Sequence, residues 1–332
     1  MIISRTPFRI SFFGGGTDYP VWYEKHGGAV LATSIDKYCY VTCRYLPPFF
    51  DYNYRIRYTE QEYVKTTEAI NHPSVRECLQ FLKVERGLEV QHNADLPARI
   101  GLGSSSSFTV GLLNALHALT GQMVSKQQLA LEAIQVEQDR IRENVGSQDQ
   151  TIAAFGGFNR IDFDGIRKIQ VTPVTVGEER LKVLHAHLML FFTGFTRTAS
   201  EIAADQVENT PKKTKELGRL HEMVKEATGV LGSKDGGLDQ FGKLLHEGWM
   251  IKRTLTTRIT TPYIDDAYEA AMNAGAIGGK LLGAGGGGCI LLFVPPERQA
   301  RVREELKRLL YIPFRFENLG SQIIYYAPQS DF

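Results

Sequence analysis

The sequence predicts an α+β protein, because strand-like and helix-like segments follow one another without the steady β-α-β-α alternation of a doubly wound sheet. Two further observations bound that expectation. At 332 residues the chain is long enough for one large or two medium domains. With 43% hydrophobic and 23% charged residues it has the make-up of a globular protein, and no apolar run reaches the length of a membrane span.

Taken in order, residues 2–13 and 29–45 are rich in Ile, Val, Phe, Tyr and Thr and read as strands. LPPFFDYNYRIRY turns on Pro47 and Pro48 and continues into another strand-like piece. Residues 72–86 read as a helix, and LEVQHNADLP (88–97) as a strand entering a serine-rich loop. Beyond that loop Phe108, Leu112, Leu116 and Leu119 recur at helical spacing until Gly121 ends the run. Ser125 and Gln128 make an S-x-x-Q capping pair for a second helix, which runs to about Arg142. GGFNRIDFDG reads as a hairpin, 181–193 as a strand, and 199–230 as a charged helical region. Helices follow at 238–254 and 262–274. GAGGGG then leads into the strand CILLFVPP, a helix over 297–310 and a last strand, SQIIYYAP. No repeat or low-complexity linker interrupts the chain. A boundary near 175–185 divides it into units 1–180 and 181–332.

The net charge of +1 argues against a surface built to coat nucleic acid or an anionic membrane. Cys39, Cys43, Cys78 and Cys289 are scattered, and the three residues between the first two do not make a zinc-ligand spacing. The opening MIISRTPFRI reads as a strand rather than a secretory leader, so reduced thiols and a cytoplasmic location are expected.

Chemistry concentrates in ARIGLGSSSSFTVGLL. A helix start presents unpaired N–H groups and the positive end of the helix dipole, which suits an anion. Gly101 and Gly103 let the backbone approach closely, and Ser104, Ser105, Ser106 and Ser107 add hydroxyls that donate to phosphate or ligate a metal. A phosphate cradle and a plain Gly/Ser helix cap both fit this segment alone. It is not a Walker A loop, since no Gly-Lys-Ser/Thr closes it. Glu137 lies three residues after Ile134 and four before Ile141, on the same helix face as both. A carboxylate facing a core needs a partner, and Mg²⁺ held between it and a loop serine supplies one. Asp149, in VGSQDQ, is expected in a polar loop, placed to act as a base or a charge stabiliser.

Glycines also mark both ends of the chain. FRISFFGGGTDYP puts Arg9 and Ser11 on one strand face and ends in Gly14, Gly15 and Gly16 before Thr17, Asp18 and Tyr19, the donors and acceptors a polyol needs. In KLLGAGGGGCILLF, Gly283, Gly285 and Gly288 have G-x-G-x-x-G spacing, but a strand follows where a dinucleotide site requires a helix. That context excludes a Rossmann oxidoreductase and favours a loop lying against another backbone or the phosphate site.

Three glycine-rich segments in this order, with QDQ between the second and third, resemble the GHMP kinases (galactokinase, homoserine, mevalonate and phosphomevalonate kinases), and the resemblance spans nearly the whole chain. FFGGGTDYP is similar to the family's first motif, ARIGLGSSSS to its P-x-x-x-G-L-G-S-S loop, and LLGAGGGG to its third motif. Within the family, FFGGGTDYP, ENVGSQDQ, FTGFTRTA and LHEGWMIKR look most like the D-glycero-D-manno-heptose 7-phosphate kinases. Galactokinases carry G-E-H-T-D-Y where this chain has glycines.

The resemblance implies an N-terminal ribosomal-protein-S5-like domain, a C-terminal ferredoxin-like domain and a site between them. It implies ATP and Mg²⁺, and phosphorylation of the anomeric C1 hydroxyl of the heptose phosphate. Gly101, Leu102, Gly103 and Ser104 to Ser107 would wrap the ATP phosphates. Ser105 and Glu137 would hold the metal, and Asp149 and Arg9 would be catalytic. Gly15, Gly16, Thr17, Asp18, Tyr19, Arg197, Gly285 and Gly286 would contact the sugar. Arg44, Arg55, Arg57, Arg197 and Lys252 are the cations available for a second substrate phosphate. Partners are therefore ATP and a sugar phosphate, with no nucleic acid or membrane, and a homodimer is left open. Two alternatives stand beside this reading: another sugar-1-kinase, of the fucose, uronic acid or galactose type, and a non-catalytic ATP and sugar sensor of the same fold.

Overall fold

The computed structural model describes residues 1–194, 199–233 and 237–328. The chain opens with β1 (Ile2–Phe13), a short helix α1 (Pro20–His26) and the long strand β2 (Gly28–Tyr45). β1 and β2 lie antiparallel, placing Arg9 opposite Ser34 and Ser11 opposite Ala32. Next come β3 (Tyr54–Arg57), β4 (Gln61–Val64), α2 (Pro73–Phe81) and β5 (Leu88–Ala94). The Ser/Leu-rich helix α3 (Ser104–Leu119) follows, then α4 (Lys126–Gln135), α5 (Gln148–Phe155) and the pair β6 (Phe158–Phe163) and β7 (Ile169–Pro173). α3 is apolar or small almost all round, as its place between the β1–β2 sheet and α4–α5 requires.

The second half begins with α6 (Glu178–Ala186) and β8 (Leu188–Phe192), followed by α7 (Ala199–Asn209), α8 (Thr214–Gly232), α9 (Asp239–Lys252) and α10 (Pro262–Ala274). It closes with β9 (Gly278–Leu281), β10 (Cys289–Phe293), α11 (Gln299–Glu305), β11 (Leu310–Tyr311), β12 (Phe316–Glu317) and β13 (Gln322–Tyr326). Among the described residues there are two sheets. The first runs β13-β1-β2-β5-β3-β4, with β6 and β12 also paired to β2 and β7 beside β6; the second runs β11-β8-β10-β9. An α+β architecture is therefore observed. The last two strands cross back, Phe316 opposite Ile35 and Tyr326 opposite Ile2, so the end of the expected 181–332 unit belongs to the first sheet.

Several local expectations change. Residues 181–193 are not one strand. Glu178 and Glu179 open a helix, Glu178 pairs with Lys182 one turn on and Leu184 is buried, so only LMLFF extends. Asp149 lies not in a loop but in the first turn of α5, a helix of 8 residues that is too short to show its periodicity in sequence. Pro211 interrupts the 199–230 helical region, and 297–310 shortens to α11 because Leu310–Tyr311 joins β8. The Ser125 cap forms as expected, its hydroxyl accepting from Gln128 N at 3.1 Å. Its helix does not continue as α to Arg142, however: residues Val136–Ile141 form a π turn.

Candidate active site

Three chain segments meet at Arg9: β1, the loop 101–103 and the first turn of α5. Arg9 is 4% exposed on β1, and its Nε and Nη2 donate to the two carboxylate oxygens of Asp149 at 2.7 Å each. Its remaining amino group donates to Gly101 O. Such a bidentate pair fixes both position and charge. The other side of Asp149 keeps a 23% exposed side chain, so the carboxylate is held from within and open from without. A Cβ built on Gly103 would stand only 3.1 Å from Arg9 Cγ and 3.3 Å from Asp149 Oδ2, which brings the pair directly under the serine loop.

Within that loop the serines divide. The first intrahelical bond of α3 runs from Ser107 N to Gly103 O, leaving the preceding N–H groups ahead of it at the mouth. Ser104 and Ser105 are outside the core, and Ser104 Oγ accepts from Arg99 N at 3.2 Å. Ser106 and Ser107 are buried, and Ser107 uses its hydroxyl on Pro7 O at 2.9 Å. The expectation that Ser107 wraps phosphate is therefore corrected: its N–H and O–H both serve the fold. The Leu102 side chain lies in the core, and its carbonyl accepts the Arg9 N–H at 3.0 Å.

Glu137 sits in the π turn that interrupts the second helix, and it is 0% exposed. Single π turns occur often at functional sites. Its serine is Ser106, which donates to Oε2 at 2.9 Å, not Ser105. Gln150 donates to the same oxygen, and Oε1 has no partner. Burial, with Glu143 nearby, pushes its carboxyl up to about 7. A buried carboxylate with neutral donors on one oxygen and none on the other is a fitting ligand for a cation. Among the described residues no group of three or more His, Cys, Asp or Glu side chains forms a metal cage. Mg²⁺ therefore fits here only with serine hydroxyls and phosphate oxygens completing its shell.

The first glycine motif is less uniform than its sequence. A Cβ on Gly15 would meet nothing closer than Gln148 Nε2 and Ser11 Oγ at 4.0 Å, so this residue is less crowded than Gly14 or Gly16. Ser11 Oγ and Gln148 Oε1 are both buried without a partner, two unsatisfied polar atoms on side chains that approach Gly15. Asp18 is 2% exposed, and its Oδ1 accepts from Gly16 N at 3.0 Å. Burial, and then the negative Asp149, raise its pKa above the usual carboxylate value. Tyr19 is largely buried beside Asp18, and its phenol is raised by burial. Two of the expected sugar contacts are absorbed by packing. Thr17 is fully buried and its hydroxyl bonds with Gly14 and Ala29, while Gly16 packs against Gln206 and Leu217.

GAGGGG lies against backbone. A Cβ on Gly101 would be 2.4 Å from Leu282 O, and Cys289 N donates to Ile100 O at 3.0 Å. Gly285 packs on Ile259, and Gly286 gives its N–H to Ile259 O at 2.8 Å, which corrects the expectation that this N–H is free for the sugar. Of the candidate cations, Arg44, Arg55 and Arg57 converge on one carboxylate, Glu89, at 2.6, 3.2 and 3.7 Å. Arg197 lies outside the described residues. Lys252 is buried at the end of α9 with its ammonium on Gly283 O and Leu281 O, and burial lowers it to about 8. Lys280 was not among the cations expected from sequence. It is also buried, donating to Phe12 O at 2.9 Å, and lies well below the usual lysine range because of burial and then Lys252.

The chain is similar to known proteins in sequence and fold. The family described as GHMP kinases N terminal domain matches residues 65–157, and GHMP kinases C terminal matches 223–312. The chain belongs to the GHMP kinases. It is an enzyme of that family, an ATP-dependent small-molecule kinase, and its fold is the GHMP kinase fold. A D-glycero-alpha-D-manno-heptose 7-phosphate kinase of Campylobacter jejuni is 26% identical over 92% of this chain and 93% of its own. A mevalonate kinase of Thermococcus sibiricus is 25% identical over 92% of each chain. Among solved structures, a D-glycero-D-manno-heptose 1-phosphate kinase from Bacteroides thetaiotaomicron superposes with a TM-score of 0.79 at 22% identity, covering 98% of this chain and 99% of its own. Among the described residues no helix of this kinase is long and apolar enough to cross a membrane.

Proposed function

We propose that this GHMP kinase transfers the γ-phosphoryl group of ATP to the anomeric C1 hydroxyl of a cytoplasmic sugar phosphate, D-glycero-D-manno-heptose 7-phosphate, giving the 1,7-bisphosphate. The observation that carries the reading is the Arg9–Asp149 pair held against Gly103, at the start of the serine-rich helix. The near end-to-end likeness to the Campylobacter jejuni heptose kinase supports the choice of sugar.

Phosphoryl transfer leaves a protein mainly positioning and charge stabilisation to do. The N–H groups ahead of Ser107, with the Ser104 and Ser105 hydroxyls, bind the nucleotide's phosphates. Ser11, Gln148 and Asp18 bind hydroxyls of the sugar and turn C1–OH toward Asp149. Arg9 donates to both Asp149 oxygens and so fixes where the carboxylate stands. The carboxylate orients the hydroxyl and receives its proton as the new P–O bond forms. Mg²⁺, when bound, supplies positive charge to the phosphate oxygens. Glu137 and a loop serine would hold it.

A panel of sugars, each with and without a terminal phosphate, assayed with ATP and Mg²⁺ for ADP release, tests the proposal. Heptose 7-phosphate is expected to give the highest kcat/KM. Preference for an unphosphorylated hexose, or for mevalonate, would overturn the substrate, and no ADP release from any acceptor would favour a sensor.

A further inference from the structure

Phe12, Phe13, Gly14 and Gly15 form one wall of a narrow cleft whose other side carries Lys252 and Lys280. Both lysines are 7% exposed, and both ammonium groups donate only to backbone carbonyls. An ammonium has three N–H groups. Lys280 uses one of them, on Phe12 O, so it retains donors. Among the described residues neither lysine has a carboxylate within salt-bridge distance. The nearby carboxylates are already engaged, Asp149 by Arg9 and Asp18 by Gly16 N. Three cations, Arg9, Lys252 and Lys280, thus share a buried region with two carboxylates, Asp18 and Asp149. Burying two neighbouring ammonium groups without a counter-ion is costly, and side chains kept in that state are suited to an anion that arrives from solution.

We propose that Lys252 and Lys280 form the subsite for the acceptor's second, non-reacting phosphate, reached over Gly15. The position of the cleft decides between the two phosphate sources at hand. Its wall is the first glycine motif, and none of its lining residues belongs to Gly101–Ser107, so it serves the acceptor rather than the nucleotide. Gly15 is the least crowded glycine of that motif: only Gln148 Nε2 and Ser11 Oγ, each at 4.0 Å, approach where its Cβ would stand. The Arg44–Arg55–Arg57 group gathers round Glu89 instead, and none of the three lines this cleft. This subsite rests on the proposed reading of the acceptor as a phosphorylated sugar.

The test uses the full-length enzyme and the variants Lys252→Met, Lys280→Met and Lys252→Arg. Wild type is assayed with each phosphorylated acceptor and its dephosphorylated form. Each Met variant is expected to reduce the preference for the phosphorylated form by about 30-fold or more, through KM, because a charge-assisted contact is lost. KM for ATP should move less than about threefold, and Lys252→Arg should recover part of the preference. In a second measurement, made with ADP and Mg²⁺ filling the nucleotide site, inorganic phosphate should raise the Tm of wild type by a few degrees, about as mass action predicts, and should not raise that of either Met variant. An increase in KM for ATP with the acceptor preference intact would assign the lysines to the nucleotide. An equal loss for both forms of the acceptor would make them braces for the glycine loops. Either result overturns the subsite alone. A wild-type enzyme that prefers the dephosphorylated acceptors would overturn the heptose phosphate reading itself, before any lysine is changed.

Discussion

Glu89 and Glu137 are both buried carboxylates, and their surroundings are opposite. Glu89, on β5, is 7% exposed and faces Arg44, Arg55 and Arg57. Burial alone would raise its pKa, but Arg44 and Arg55 outweigh that and hold it below the usual carboxylate value. Glu137 is 0% exposed and has neutral neighbours in Ser106, Gln150 and Thr109 with no cation among them, so burial prevails and its pKa rises to about 7. The difference teaches where to look for function. A buried charge whose counter-ions come from the same chain is part of the framework, and one without them is completed by something the chain must bind. Asp149 falls between, with Arg9 on its inner side and solvent on its outer side.

Three predictions press on that comparison. The largest effect is expected at the intermediate case. Asp149→Asn keeps the shape but gives Arg9 a poorer partner and removes the proton acceptor, so kcat should fall by about 10²–10⁴ while KM for ATP changes little. Steady-state kinetics check this, and an unchanged kcat would remove Asp149 from the chemistry.

Next, the two glutamates should respond in opposite ways to the same change. Glu137→Gln should reduce kcat/KM by about 10²-fold and raise the Mg²⁺ concentration needed for half-maximal rate, yet stabilise the metal-free protein above neutral pH. Glu89→Gln should leave kcat within about twofold and cost about 2 kcal/mol of stability. That is less than a fully buried pair, because Arg44 and Arg57 keep part of their solvent. Kinetics and urea melts on the two variants read out both halves.

The smallest effect is a difference in pH slope. Glu137 ordinarily titrates near 4.5 and is raised to about 7 in the folded protein. Between those values the native state keeps a proton that the unfolded chain has released. Stability of the metal-free protein should therefore decline as pH rises from about 4.5 to about 7, by about 3 kcal/mol. Glu89 is lowered, so its contribution is present above the ordinary carboxylate pKa and is lost as pH falls through the folded value. Urea melts across pH 3–8 without Mg²⁺ should show the first slope vanish in Glu137→Gln and the second in Glu89→Gln. Parallel curves for wild type and both variants would end the distinction.

Some of this site was legible in the linear chain. Arg9 alternates with Ser11 on a strand, the α3 stripe repeats at helical spacing, and Ser125 caps α4. Asp149 was recognisable as a residue while its helix was not, because an 8-residue element whose first turn is polar shows no periodicity. Lys280 was passed over because it lies inside an apolar, glycine-rich stretch that reads as strand and turn. Its place beside the first glycine motif is set by the carbonyl of Phe12, 268 positions away, which accepts a hydrogen bond from its ammonium. Ser105 and Ser106 were indistinguishable for a similar reason: adjacent residues on a helix differ by about 100° in direction, and the phase is set by what the helix packs against.

The order of the glycine motifs, the presence of a glycine- and serine-rich helix start, and the acidic and basic residues near it were determined by the sequence itself, since each depends on residue type and short spacing. The tertiary structure alone decided that Ser106 meets Glu137, that Thr17 and Ser107 serve the fold, and that Arg44, Arg55 and Arg57 share one carboxylate while Lys252 and Lys280 meet backbone carbonyls. The reason is physical. A polar group's partner, and the cost of its having none, depend on which distant segments close over it, and that is a property of the packed core rather than of any neighbour in the chain.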